Sequence, residues 1–216
     1  MTLPPFRNEA YADFSQPENR EGMQRALAAV RRQLGREYQL LIGGERVVVG
    51  QTFLSRNPSA PAEVVGLHQK ATPEMAQRAI EDAYAFFPDW SAAPVERRVE
   101  IIVRAAALLR ERKCEFNSWM VLEAGKSWAE AEADTSEAID FCEYYARQML
   151  KWANPDPLLQ LPGEIDQLRY LPLGVGVIIP PWNFPLAILC GMTTAALVAG
   201  NTVIVKPSSE TPTIAA

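Results

Sequence analysis

The stretch GVIIPPWNFPLAI, residues 176–188, combines a β-branched run, two adjacent prolines and an apolar tail. The run 177–179 predicts a strand that ends at Pro180-Pro181, because proline has no N–H to donate to a β-ladder. The apolar residues after Pro185 predict a buried helix. Asn183 then lies at the carboxyl end of a strand, which is where open α/β sheets bind their ligands.

A second strand is predicted after this helix, in NTVIVKPS, residues 201–208. No charged residue occurs between Arg169 and Lys206. A parallel strand pair that is covered on both faces has this composition, since neither face meets water. A membrane hairpin is disfavoured because four prolines interrupt the segment, and its longest uninterrupted piece, residues 186–200, is shorter than the roughly 20 residues of a span. We therefore predict a βαβ unit.

Upstream of this unit, most of the apolar pattern is helical. YQLLIGGERVVVG, residues 38–50, predicts a hairpin around Gly43-Gly44, and AEVVGLHQKA, residues 62–71, predicts another strand. Thr72 followed by Pro73 is a helix start signal. Helices are predicted over residues 18–35, from residue 72 to about 87, from 94 onward, from 113 to the sequence LEAGKSW at 122–128, and from 127 to 152.

Composition limits the possible partners. The chain of 216 residues has a net charge of −5 and no basic tract, so we expect no nucleic-acid partner. Its three cysteines are far apart and its single histidine is His68, which predicts neither a disulfide framework nor a metal site. We also expect no membrane partner. The first residues contain no apolar signal segment, which favours a cytoplasmic protein.

The predicted fold class is α/β, with an incomplete Rossmann-like parallel sheet and helices on both of its faces. Residues 1–155 are expected to form an N-terminal arm and the first, helical part of a cofactor-binding domain. Residues 156–171 are expected to form an extended excursion, and residues 172–216 the start of the Rossmann-like βαβ core. Since a single crossover does not complete a nucleotide-binding sheet, the order of elements favours the first part of a longer protein.

Two motifs resemble the aldehyde dehydrogenase superfamily. They are PPWNFPLAI, residues 180–188, and GNTVIVKPSSETP, residues 200–212, on either side of the apolar helix. LEAGKSW is similar to the superfamily's Glu-x-Gly-Lys turn. The resemblance covers essentially the whole chain and implies the N-terminal part of the aldehyde dehydrogenase fold. It also implies NAD-dependent aldehyde oxidation by a homo-oligomer, in which residues 156–171 form the oligomerisation hairpin.

The same resemblance implies roles for single residues. Asn183 matches the amide donor that shares an oxyanion hole with the N–H of a catalytic cysteine. Lys206 matches a lysine that hydrogen-bonds the adenosine ribose, and the strand end that lines the dinucleotide site matches Ile179, Pro180, Pro181 and Trp182. Ser209 stands where many members have a glutamate that repels the 2′-phosphate of NADP. We therefore expect NAD as the cofactor, with NADP also accepted.

Three further stretches resemble one branch, the glutamate-semialdehyde (pyrroline-5-carboxylate) dehydrogenases of proline catabolism. They are PFRNE at residues 5–9, NPSAP at 57–61 and AIDFCEYYAR at 138–147. This resemblance implies oxidation of L-glutamate γ-semialdehyde to L-glutamate, with Glu137 near the substrate entrance and Phe184 at the substrate site. Glu137 shares a helical face with Phe141 and Tyr144, although an ordinary solvated acid is an equally good interpretation of its position.

In this superfamily the nucleophilic cysteine and the general base come later than residue 216. Cys114, Cys142 and Cys190 are therefore interpreted as packed thiols, and the chain alone is expected to be inactive. Two alternatives stay open. The chain could be a non-catalytic dinucleotide-binding or assembly module, or it could belong to another aldehyde dehydrogenase branch, acting on succinate semialdehyde or betaine aldehyde.

Overall fold

A computed structural model describes all 216 residues and contains seven strands, six α-helices and a final 3₁₀ turn. The strands are β1 (Arg36–Tyr38), β2 (Leu40–Ile42), β3 (Glu45–Val47), β4 (Thr52–Arg56), β5 (Val64–Gln69), β6 (Val175–Ile178) and β7 (Thr202–Val205). The helices are α1 (Pro17–Arg31), α2 (Pro73–Ala92), α3 (Val95–Glu111), α4 (Lys113–Ala124), α5 (Trp128–Ala153) and α6 (Ala187–Val198), and the 3₁₀ turn is Thr213–Ala215.

Strands β6 and β7 form the parallel pair of the βαβ unit. Their register places Val175 opposite Thr202 and Ile178 opposite Val205. Helix α6 connects the two strands, and both α6 and α2 pack against them. The Thr202 hydroxyl also donates a hydrogen bond of 2.9 Å to the carbonyl of Ala83 in α2. The βαβ unit and the α/β fold class are therefore confirmed.

A separate three-stranded sheet has β5 at its centre. Strand β5 pairs in parallel with β1 and antiparallel with β4, with a register shift between Ser55 and Arg56. Strands β2 and β3 form the predicted hairpin, whose turn uses positive φ angles at Gly43 and Gly44. Only glycine adopts such angles readily. The hairpin prediction is thus confirmed.

Helix α5 lies at the centre of the helical part of the molecule, where it packs against α3, α4 and α6. The Ser127 hydroxyl accepts a hydrogen bond from the N–H of Glu130, whose carboxylate accepts one from the N–H of Ser127. This reciprocal capping box begins α5 where the sequence predicts it. Small buried side chains allow the neighbouring helices to approach closely; they are Ala131, Ala138, Cys142 and Ala146.

Three predicted boundaries are wrong. Helix α1 ends at Arg31, before the expected residue 35, and β6 ends one residue before Ile179. Helix α2 continues past Pro88 to Ala92 although proline removes a helical hydrogen bond. The last turn of α2 is stabilised by a contact with α6, because the indole N–H of Trp90 donates a hydrogen bond of 3.0 Å to the carbonyl of Leu197.

Residues 156–171 form neither a helix nor a strand, and they contain a turn at Pro162-Gly163. Apolar side chains of this segment face outward, since Leu159 is 85% exposed and Ile165 is 86% exposed. None of the helices combines the length and the apolar composition that crossing a membrane requires.

Candidate active site

The predicted residues that follow β6 and β7 lie at one edge of the parallel strand pair, whereas Glu137 lies on α5. The N–H of Lys206 donates a hydrogen bond of 2.9 Å to the carbonyl of Ile178, which extends the pairing to the last residue of β6. Because β6 and β7 are parallel, the segments that follow them leave the sheet at the same edge. The loop 179–186 and the segment 206–210 are therefore neighbours, as open α/β sites require.

The loop 179–186 is exposed at Ile179 and in its middle and is buried at Pro180 and at its C-terminal end. Pro180, Pro185 and Leu186 are buried, whereas Trp182, Asn183 and Phe184 are exposed. The side-chain amide of Asn183 makes no hydrogen bond to another residue of the chain. It is therefore available to donate to a ligand at this edge.

Two charged residues outside the predicted set hold this loop. Lys126 follows the C-terminus of α4, and its Nζ lies 2.6 Å from Oδ2 of Asp134 and 4.4 Å from the centroid of the Phe184 ring. Oδ1 of Asp134 accepts a hydrogen bond of 2.6 Å from the N–H of Ala187, the first residue of α6. The sequence contains a signal for Asp134, because it lies three residues after Ala131 and four before Ala138, on the buried stripe of α5.

A cavity of about 570 Å³ opens beside the loop. It is lined by Arg56, Pro58, Glu123, Ala124, Trp182, Glu210 and Thr211. Of the predicted dinucleotide residues, only Trp182 is among these. The structure brings Glu210 to the cavity, whereas Ser209 is exposed outside its lining.

Glu123 connects the cavity to the segment that follows Lys206. Its carboxylate is buried and accepts a hydrogen bond of 2.6 Å from the Ser55 hydroxyl and bonds of 2.8 Å from the N–H groups of Thr213 and Ile214. Burial raises the pKa of Glu123, and the hydrogen bonds oppose this rise. The sequence motif LEAGKSW contains this acid, but the local pattern does not show that its partners come from both ends of the chain.

Glu137 lies on α5, one turn after Asp134, and is half-buried. Burial raises its pKa, the charge of Asp134 raises it further, and the charge of Lys126 opposes the rise. Phe141, one turn later, lines an apolar groove between α5 and α6 together with Tyr145, Ile188, Gly191, Met192 and Ala195. Of the two predicted substrate residues, Phe184 contacts Lys126 directly, whereas Glu137 is affected by the charge of Lys126.

None of the three cysteines faces this edge as an activated thiol. Burial raises the pKa of Cys142 to about 12, and it also raises the pKa values of Cys114 and Cys190. A nucleophilic cysteine needs the opposite shift, because the thiolate is the reactive form.

Comparison with known proteins identifies close relatives. The profile of the aldehyde dehydrogenase family matches residues 48–216. The 1-pyrroline-5-carboxylate dehydrogenase of Geobacillus thermodenitrificans (strain NG80-2) is 52% identical over 211 residues, which are 98% of this chain and 41% of that protein. This chain thus spans about 41% of the length of the curated relatives that it matches.

Solved structures show the same relationship. A 1-pyrroline-5-carboxylate dehydrogenase from Thermus with bound NAD has a TM-score of 0.95 and 46% identity, over 99% of this chain and 42% of the other. The Δ-pyrroline-5-carboxylate dehydrogenase of Mycobacterium tuberculosis bound with NAD has a TM-score of 0.89 and 31% identity, over 100% of this chain and 41% of the other.

Proposed function

The chain belongs to the aldehyde dehydrogenase family, and we propose that the complete protein oxidises L-glutamate γ-semialdehyde to L-glutamate with NAD. The observation that carries the proposal is the 52% identity, over 98% of this chain, to a 1-pyrroline-5-carboxylate dehydrogenase. The exposed, polar edge of the β6–β7 pair supports it. We assign the protein to the cytoplasm and to proline catabolism on the same grounds.

Asn183 is the residue of this chain that acts on the reacting carbonyl. Addition of a nucleophile to an aldehyde places negative charge on the carbonyl oxygen, and the amide N–H of Asn183 donates to that oxygen. Such a donor is effective when it is already oriented before the charge develops. The exposed position of Asn183 between the buried residues Pro180 and Pro185 supports this role.

The cofactor residues fit a dinucleotide. The exposed Lys206 side chain supplies a hydrogen-bond donor for the adenosine ribose, and Ser209 supplies a hydroxyl group nearby. The strand end that borders the dinucleotide comprises Ile179, Pro180, Pro181 and Trp182. Bound NAD supplies the acceptor for the hydride that leaves the aldehyde carbon.

The substrate side of the site comprises Phe184 and Glu137. Phe184 offers an exposed aromatic ring next to Asn183, and Glu137 offers a carboxylate to the ammonium group of the substrate. We further propose a homo-oligomer that uses residues 156–171, because this extended segment presents apolar side chains that a neighbouring subunit would cover.

A comparison of aldehydes tests the proposal. Steady-state kinetics of the complete enzyme with NAD should give a kcat/KM for glutamate γ-semialdehyde at least about tenfold above the values for succinate semialdehyde and betaine aldehyde. The Asn183→Ala variant should lose roughly 10²–10³ in kcat while its NAD affinity changes little. A preference for another aldehyde would assign the protein to a different branch, and NAD binding without any aldehyde oxidation would favour an assembly module.

A further inference from the structure

We propose that Lys126 and Asp134 are positioning residues, which hold the loop 179–186 so that the amide of Asn183 faces the aldehyde oxygen. This inference rests on the proposed function, since it concerns the orientation of the same amide. Neither residue needs to touch the substrate, because Lys126 contacts Phe184 and Asp134 contacts Ala187, one and four residues after Asn183.

Asp134 fixes the end of the loop. Its side chain is fully buried on α5, and it accepts the N–H of Ala187 at 2.6 Å. The first N–H groups of a helix have no partner within the helix, and the residue at the N-cap of α6, Leu186, provides no side-chain acceptor. A carboxylate from another helix therefore replaces the missing cap and places the start of α6 relative to α5.

Lys126 fixes the middle of the loop. Its side chain is only 12% exposed, and its ammonium group contacts both the Asp134 carboxylate and the face of the Phe184 ring. Gly125 has a left-handed backbone conformation, with a φ of 68°, and ends α4. Lys126 is the next residue and follows this change of chain direction. The ammonium group thus joins the end of α4, the buried acid of α5 and the ring next to Asn183.

The position of Asn183 explains how Lys126 and Asp134 affect the orientation of its side chain. The side chain of Asn183 has no hydrogen bond to the chain, so its orientation depends on the backbone at its neighbours. Phe184 and Ala187 are held by Lys126 and Asp134, respectively. Removal of the cation also leaves the Asp134 carboxylate buried without a counter-charge, which favours its movement away from Ala187.

A double-mutant cycle in the complete enzyme tests the catalytic part of the inference. We expect Lys126→Met to lower kcat by about tenfold or more with an unchanged Kd for NAD, and Lys126→Arg to restore most of the loss because it keeps the charge and the ring contact. In the Asn183→Ala background, Lys126→Met should lower kcat by less than about twofold further, because residues that act through one group are not additive. Full additivity, or normal kcat in Lys126→Met alone, would overturn the inference.

A matched control separates positioning from a general loss of stability. Lys113 and Glu132 form a second buried ion pair, with Nζ and Oε1 2.6 Å apart and side chains 14% and 3% exposed. It joins the first residue of α4 to α5, whereas Lys126 joins the segment after α4 to the same helix α5. Lys113→Met should therefore have a similar effect on the unfolding midpoint while kcat stays within about twofold of the parent value. An equal loss of kcat in both variants would contradict a specific role for Lys126.

Amide hydrogen exchange provides a readout that does not depend on aldehyde oxidation. Exchange at Ala187, whose N–H donates to Asp134, should be faster in Lys126→Met than in Lys113→Met. If Lys126→Met does not fold, the neutral double variant Lys126→Met/Asp134→Asn is measured instead, and the same faster exchange is expected. Unchanged exchange would overturn the inference even if the proposed function holds. Faster exchange with normal kcat in Asn183→Ala would instead contradict the proposed role of Asn183.

Discussion

Glu137 occupies an environment that differs from that of a solvated surface acid. It is half-buried beside Asp134 and Lys126, and burial raises its pKa. The proposed substrate carries an ammonium group, which a carboxylate at the entrance attracts, whereas a simple aliphatic aldehyde carries no charge. We therefore expect the carboxylate to favour the charged aldehyde over the uncharged one.

We expect Glu137→Ala to lower kcat/KM for glutamate γ-semialdehyde by about tenfold, because a hydrogen bond between charged groups contributes roughly 1.5–3 kcal/mol. The value for propanal should change less than about twofold. Steady-state kinetics with both aldehydes measures the ratio, and Glu137→Gln tests whether the charge itself is needed. Equal losses with both aldehydes, or no loss with either, would exclude a role of Glu137 in substrate recognition.

We expect the choice between NAD and NADP to depend on two adjacent residues, Ser209 and Glu210. Ser209 stands at the position expected to contact the adenosine ribose, and Glu210 lines the cavity next to Trp182. Ser209→Glu should lower kcat/KM for NADP by about tenfold or more relative to NAD, since a close pair of like charges costs up to roughly 4 kcal/mol at an effective dielectric of 20. Measured kcat/KM values for both cofactors decide this. Strict NAD specificity in the parent enzyme that is lost in Glu210→Gln would show that Glu210 excludes NADP instead.

The contact between α5 and α6 sets the position of the helix that follows Asn183. Gly191 in α6 packs against Phe141 in α5 so closely that a Cβ atom would lie 2.9 Å from the ring. Only glycine permits this approach without movement of one helix. The position of the loop that precedes α6 therefore depends on this contact as well as on the hydrogen bond from Ala187 to Asp134.

Gly191→Ala should destabilise the fold by roughly 1–3 kcal/mol, because an added methyl group in a packed interface forces the helices apart. Gly22→Ala in α1 is the matched control, since a Cβ atom there meets nothing nearer than 4.0 Å. It should stabilise the fold by about 0.5–1 kcal/mol through helix propensity. Urea unfolding of both variants measures the two changes, and destabilisation of equal size in both would rule out the interface explanation.

The elements differ in how far the sequence predicts them. Helix α5 was predictable because Ser127 caps its start and Pro155 follows its end. The sequence does not predict β1 or β4. Each is held in place by hydrogen bonds to β5, and a three-residue or turn-like sequence is by itself too weak a signal for a strand. In the site, motif resemblance located Asn183 and Lys206 at the edge where the structure has them. Lys126 was missed because its contacts depend on how three elements pack.

A buried polar cluster joins distant parts of the chain. His68 of β5 shares a hydrogen bond of 2.9 Å with the Thr213 hydroxyl and stacks on Tyr38 with ring centroids 4.9 Å apart. Thr213 in turn donates its N–H to Glu123. The cluster attaches the three-stranded sheet to the segment that follows β7, so its protonation affects the stability of the fold as a whole.

Burial lowers the pKa of His68 to about 4, whereas an unfolded histidine has a pKa of about 6.5. Between about pH 4 and pH 6.5 the unfolded chain therefore binds a proton at His68 that the folded chain does not. The contribution of neutral His68 to stability is complete above pH 6.5 and is lost as the pH falls toward 4. Glu123 acts in the opposite direction, because its raised pKa makes its contribution to stability fall as the pH rises.

The free energy of unfolding of the parent should decrease between pH 7 and pH 5. We expect this decrease to be roughly 1–2 kcal/mol smaller in His68→Gln. Urea titrations at both pH values measure this difference between the two proteins, which removes the shared effect of Glu123. An identical pH dependence in parent and variant would mean that His68 becomes protonated in the folded state, and that the cluster tolerates the charge.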